Sequence, residues 1–188
     1  MKHCAWMIGL LLLLSGCTFS RVVPYYRPGG AGEIAVDGRQ IPRTMEYGFG
    51  AGSVLAVSTE RKRRKTEIAF TLRSRDTARF TSDSGHILFD CDGRTAALPV
   101  PVWHERRIKE GKAYVVDHAW EDVLDAGEFR ASVTLSECKD LPFSFAWPTV
   151  RVGETAHEFG RVSMTPQTMP LTWTLPVPTR VEGQPGNP

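Results

Sequence analysis

The sequence lacks the features that mark most catalytic and nucleic-acid-binding chains. It holds no H-E-x-x-H, no G-x-S-x-G, no Walker loop and no dinucleotide fingerprint. Charge of one sign is not in excess: 23 Lys and Arg stand against 21 Asp and Glu, for a net +2. A dedicated nucleic-acid binder shows a strongly basic domain, so no nucleic-acid partner is expected. Neither the collagen nor the coiled-coil period is present. The 13 prolines and 17 glycines are too few for a fully disordered chain but enough for many turns. The 41% hydrophobic share suits a globular protein with room for one core.

One long apolar run does exist, at 5–14, after Lys2 and His3. It contains Trp6, Met7, Ile8 and the leucines 10–14. As a helix it would span roughly 15 Å, about half of a bilayer core, so it reads as a signal-peptide h-region rather than a membrane span. Leu14, Ser15, Gly16 and Cys17 follow. This block resembles the lipobox of bacterial lipoproteins, and the resemblance covers residues 1–17 only. It implies cleavage before Cys17, a diacylglyceryl thioether on its sulfur and an acylated amino group. Several acyl chains make a lasting anchor where one would not. In many such proteins an Asp after the cysteine favours inner-membrane retention. Thr18 therefore leans towards the periplasmic face of the outer membrane.

On that reading Cys4 leaves with the signal and Cys17 carries lipid. Cys91 and Cys138 remain, exported to an oxidising compartment. An even pair there reads as one disulfide. No C-x-x-C or clustered histidine supports a metal, and no cofactor is expected.

Residues 17–32 read as the lipidated cysteine plus a flexible tether, because Pro24, Pro28, Gly29, Gly30 and Gly32 interrupt any apolar period. Tyr25 and Tyr26 would shorten the tether if they pack on the domain. From there the dominant period is two. Ile68, Phe70 and Leu72 share one face of 66–73. Phe129, Ala131, Val133 and Leu135 share one face of 129–136. Shorter alternations occur at 143–147 and 171–175. Such alternation marks half-buried antiparallel strands. Weaker strand candidates lie at 34–36, 44–48, 53–58, 78–81, 86–90, 100–104, 113–117, 149–152 and 158–163.

Turn signals separate them: Asp37-Gly38, Ser84-Gly85, Asp92-Gly93, Glu110-Gly111, Ala126-Gly127 and Val152-Gly153. Around 120–124, Trp120, Val123 and Leu124 suit either one or two helical turns or a loop. The expected fold is all-β: a single antiparallel β-sandwich over 33–175, immunoglobulin-like or transthyretin-like. Prolines on several strands fit the open edges of a sandwich better than a barrel. Residues 176–188 read as a disordered tail.

Candidate sites are few. Ser82, Asp83, Ser84 and Gly85 read as a turn. Asp90 and Asp92 begin like a calcium loop, but the further ligands are missing, so a turn is expected there too. His86, His104, His118 and His157 could converge in space. Glu105 beside His104, and Asp117 beside His118, would suit a general base or a metal site. Neighbours in a strand face opposite ways, which weakens both pairs. The unusual cluster is Arg61, Lys62, Arg63, Arg64 and Lys65, expected at a hairpin tip. It reads either as a solvated turn that blocks edge aggregation or as a contact for anionic headgroups or an acidic partner. No catalytic residue is assigned. The expected role is structural or accessory: a lipid-anchored envelope protein that holds a protein partner. A ligand-binding or inhibitor-type module is the alternative, with its small-molecule ligand left open.

Overall fold

The computed structural model describes residues 18–49, 52–62, 65–81, 85–136, 138, 140–147 and 149–174. Sixteen strands and no helix occur among them. In chain order these are β1 (Thr18–Gly29), β2 (Glu33–Ala35), β3 (Thr44–Phe49), β4 (Ser53–Arg61), β5 (Thr66–Ser74) and β6 (Ala78–Thr81). Then come β7 (His86–Cys91), β8 (Arg94–Pro99), β9 (Trp103–Lys109), β10 (Lys112–His118) and β11 (Val123–Leu124). Last are β12 (Gly127–Leu135), β13 (Phe143–Ala146), β14 (Thr149–Val152), β15 (Thr155–His157) and β16 (Arg161–Thr174).

The chain divides into two compact units. The larger is Pro24–Thr168. The smaller is described only at 18–23 and 169–174, the outer ends of β1 and β16.

The strands form an all-β sandwich. One sheet has the order β1-β16-β13-β7-β8, the second β10-β9-β12-β5-β4-β3-β2, and a small third sheet β11-β6-β14-β15. All registered pairs are antiparallel. The period-two pattern accounts for the packing. Along β5 and β12, Ile68, Phe70, Leu72, Phe129, Ala131, Val133 and Leu135 all point inward and are buried. Phe89, Phe143 and Phe145 of the first sheet are buried too. Phe70 meets Phe145 edge-on at 6.2 Å, joining the two sheets. The third sheet contributes Phe80, which packs on Trp103 at 4.6 Å and Trp120 at 5.0 Å. The two indoles stack nearly parallel, at 11°.

Two turns show how sequence sets register. Asp92 and Gly93 both have positive φ, 52° and 80°, and join β7 to β8. Glu110 and Gly111, at 53° and 75°, do the same between β9 and β10. Two-residue loops with left-handed backbone match the right-handed twist of the flanking strands.

Several expectations need correction. Residues 18–29 form strand β1, not a tether. Tyr26 is only 1% exposed, and the larger unit begins at Pro24. Pro24 and Pro28 sit on an edge strand of the first sheet, where proline is tolerated because no ladder bond need be lost. Of the expected strand 100–104, only 103–104 are strand, as the start of β9, because β8 ends at Pro99 and the chain between them is not strand. Of the expected strand 158–163, only 161–163 are strand, as the start of β16. The stretch 120–124 is a turn running into β11, with Trp120 and Leu124 buried but Val123 60% exposed. The signal segment, Cys17 and the tail 176–188 lie outside the described residues.

Candidate functional site

The alternation of β7 turns Ile87, Phe89 and Cys91 inward. Cys138 follows β12 in a turn, so the strand's own parity no longer constrains it. The two cysteines are bonded, with Cα atoms 5.3 Å apart, within the range a disulfide can span. Both are buried, and the bond links the first sheet to the loop leaving the second.

Tyr26 seals this junction from β1. Its hydroxyl donates to the Cys138 carbonyl (3.1 Å) and accepts from the Asp140 amide (2.9 Å). The Thr66 hydroxyl also points at it, at 3.4 Å. The Tyr26 ring meets Phe143 edge-on at 5.2 Å.

The basic cluster stands beside this junction. Arg61 ends β4 opposite Thr66 of β5, and the Lys62 amide donates to the Lys65 carbonyl across the turn. The sequence placed the cluster at a hairpin tip, and Arg61, Lys62 and Lys65 lie at the end of the β4–β5 pairing. Two of its charges are already engaged. Arg61 pairs with Asp140, and Lys62 pairs with Glu67 and, at 3.9 Å, Glu60. The hydrogen bond that Lys62 donates to Glu67 raises its ammonium above the ordinary range. Arg63 and Arg64 lie outside the described residues. Lys65 is exposed. Among the described residues Lys65 has no acidic partner, so it is the described tip cation open to an anion.

The four histidines do not converge on a metal. Among the described residues no group of three or more His, Cys, Asp or Glu side chains could hold one. His157 packs against Phe49 at 5.3 Å. His86 begins β7. His104 and His118 each find a carboxylate, but across strands rather than in sequence. Asp117 stands opposite His104 in the β9–β10 register, and its Oδ1 lies 2.7 Å from His104 Nδ1. His118 Nε2 lies 3.0 Å from Glu105 Oε2.

The first pair faces solvent. The second is largely covered and packs on Phe129 at 5.5 Å. The hydrogen bond from Arg107 holds the Glu105 carboxyl below the ordinary carboxylate range. Partial burial opposes this, and His118 adds to it. These pairs orient imidazoles and fix hairpin register. Hydrogen-bonded side-chain pairs across paired strands each contribute roughly 0.2–1 kcal/mol.

A depression of about 530 Å³ opens beside the solvent-facing pair. It is lined by His104, Glu105, Arg106, Val115, Glu128 and Arg130. Its size suits a small ligand, but ligand sites are mostly apolar and this lining is charged. Its charges are largely paired. Arg130 donates twice to Glu128 Oε1, at 3.0 and 2.7 Å, and Arg73 reaches Oε2 at 3.3 Å. The Arg130 hydrogen bond is the main reason the Glu128 carboxyl sits low.

The β9–β10 hairpin is the surface that sequence reasoning missed. β12 pairs with β9 only at Glu105 and His104, so 108–113 extends past the end of β12. Ile108 is 72% exposed, Val115 62% and Tyr114 43%. A signal was present: a Glu-Gly turn followed by four apolar residues, 113–116, without strict alternation. Of the turn motifs, Asp90 accepts a hydrogen bond from the Gly93 amide (3.0 Å) and shapes the β7–β8 turn. Residues 82–84 lie outside the described residues. Comparisons with protein families, with curated proteins and with solved structures find no match to this chain.

Proposed function

We propose that this chain is a lipid-anchored envelope protein. Its β-sandwich serves a structural or accessory role, holding a partner protein at the periplasmic face of the outer membrane, without catalysis of its own. One observation carries the reading. The Cys91–Cys138 bond is built into the core, and a structural disulfide persists in an oxidising compartment outside the cytosol. That agrees with the secretory block at 1–17, and the lipobox at Leu14, Ser15, Gly16 and Cys17 supplies the anchor.

The experiment is expression of wild type and Cys17→Ser in a Gram-negative host, followed by membrane fractionation and mass spectrometry. The wild type should appear in membranes with its mature amino terminus at Cys17 and acyl mass added. Cys17→Ser should lose that mass. An unacylated wild type in the soluble periplasm overturns the anchor. The alternative, a ligand-binding or inhibitor-type module, draws support from the depression beside His104 and Glu128.

A further inference from the structure

Sheet edges expose unpaired N–H and C=O groups, and native edges are blunted by shortness, proline, charge or bulges. Most edges here are guarded. β2 and β15 have three residues each and β11 has two. β1 carries Pro24 and Pro28, and β8 ends on Pro99. β10 differs. It runs seven residues in unbroken register with β9, without proline or bulge, and its centre is Ala113, Tyr114, Val115 and Val116. It ends the seven-stranded sheet, so one side of its backbone is unpaired among the described residues.

The turn fixes which groups are open. In a two-residue left-handed hairpin the closing pair is doubly hydrogen-bonded. Here that pair is Lys109 and Lys112. Alternation then points the N–H and C=O of Ala113, Val115 and Asp117 away from β9.

The side chains on the same hairpin specify the chemistry of an occupant. Arg107 is engaged by Glu105 at 2.7 Å, and Asp117 by His104. Arg106, Lys109 and Lys112 have no acidic partner among the described residues, and they surround the exposed Ile108, Tyr114 and Val115. Lys112 lies on β10 itself, while Arg106 stands opposite Val115 one strand back.

We infer that the free edge of β10 receives an extended segment of a partner protein, one that alternates acidic and aliphatic residues, as an added strand of the seven-stranded sheet. This rests on the accessory role proposed above and names how the partner is held. Backbone hydrogen bonds supply the attachment, Lys112 selects for acidic side chains on its face of the strand, and Val115 meets aliphatic ones on the other. Hydrocarbon is the poorer occupant, because immersion would leave the open N–H and C=O groups unsatisfied.

The test uses the Cys17→Ser full chain without its leader and an end-capped fluorescent peptide of alternating valine and glutamate, as long as β10. The peptide should bind, with anisotropy falling as salt rises. Three changes should each weaken binding by about tenfold or more. They are lysine in place of glutamate, full N-methylation of the peptide, and Val115→Pro in the protein. Proline at 115 removes an outward N–H without breaking a β9–β10 bond. Val115→Thr keeps that N–H and should bind within about threefold of the parent. No peptide binding by the parent overturns the inference. So does equal binding of the N-methylated peptide, or tighter binding to phosphatidylglycerol vesicles than to the peptide.

Amine-reactive crosslinking of the lipidated chain in intact envelopes separates the two possible failures. Identical adducts from parent and Val115→Pro overturn the edge assignment and leave the accessory role standing. No adducts from the parent overturn the accessory role, and the inference with it.

Discussion

Replacing Tyr26 by Phe removes one hydroxyl and tests whether β1 belongs to the sandwich. That hydroxyl serves two backbone groups, the Cys138 carbonyl and the Asp140 amide. Cys138 is fully buried, so its carbonyl would be left without water, at about 1–3 kcal/mol. Asp140 is exposed, so solvent can replace the lost partner of its amide at little cost. The Thr66 contact is long, at 3.4 Å, and adds little. The sum is about 2 kcal/mol, or roughly 4–8 °C in Tm for a chain of this length. Tyr26→Ala also removes the ring that meets Phe143, adding about 3–5 kcal/mol. Urea and thermal unfolding of the unlipidated chain from residue 18 would measure both. The m-value should stay constant for the Phe variant. The reasoning is refuted if Tyr26→Phe lies within about 0.5 kcal/mol of the parent and a chain starting at residue 33 unfolds at the parent midpoint.

Three further outcomes are expected. Replacing Cys91 and Cys138 together by Ala should cost about 4 kcal/mol, given their separation of 47 residues. The loss should be non-additive with Tyr26→Phe because the two share one junction. Quantitative alkylation of both thiols in unreduced protein would contradict it. Asp37 accepts hydrogen bonds from the Arg39 and Ile41 amides and pairs with Arg43 at 3.0 Å. Burial pushes its carboxyl up, but the Ile41 and Arg39 bonds and the Arg43 charge together push it lower still. A depressed carboxyl stabilises above the unfolded pKa of about 3.9 and ceases to as pH falls through the folded value. The gap in unfolding free energy from urea titration between parent and Asp37→Asn should therefore be about 1 kcal/mol at neutral pH and shrink towards pH ~3; an unchanged gap would refute this. At the basic tip, Arg61→Gln should change stability by less than about 1 kcal/mol. Replacing all five tip cations by Gln should weaken low-salt binding to anionic vesicles. No binding by the parent would reduce the cluster to a solvated turn.

Strict alternation made β5 and β12 legible, because each buries one face against a single core. β1 was not legible because its prolines look like linker composition until the strand is known to lie at a sheet edge. The disulfide followed from counting cysteines, but its place in the core did not, since Cys138 leaves the parity of β12. For His104 and His118 the expected weakness of the local pairs holds, and the cross-strand partners are what the pattern did not give. Neighbours in sequence do face apart, yet each finds a carboxylate on the facing strand, and only the Glu110-Gly111 register brings them together. The tip cations could be located by pattern, but Asp140, which engages Arg61, comes from a loop after β12. No local window of sequence contains that partner.

The pairing of β1 with β16 also has a consequence in time. Tyr25 bonds Gln167 across 142 positions, and Ser163 bonds the Gly29 carbonyl across 134. Hairpins such as β4–β5 close over a few residues and form quickly, whereas contacts this distant bear the closure entropy of nearly the whole chain. The first strand to emerge from a ribosome or a translocation channel must therefore wait for the last. Until β16 is out, the five-stranded sheet has no complete form and Tyr26 has no finished pocket. Such wiring leaves β1 without its neighbour, and the first sheet unfinished, until β16 is available.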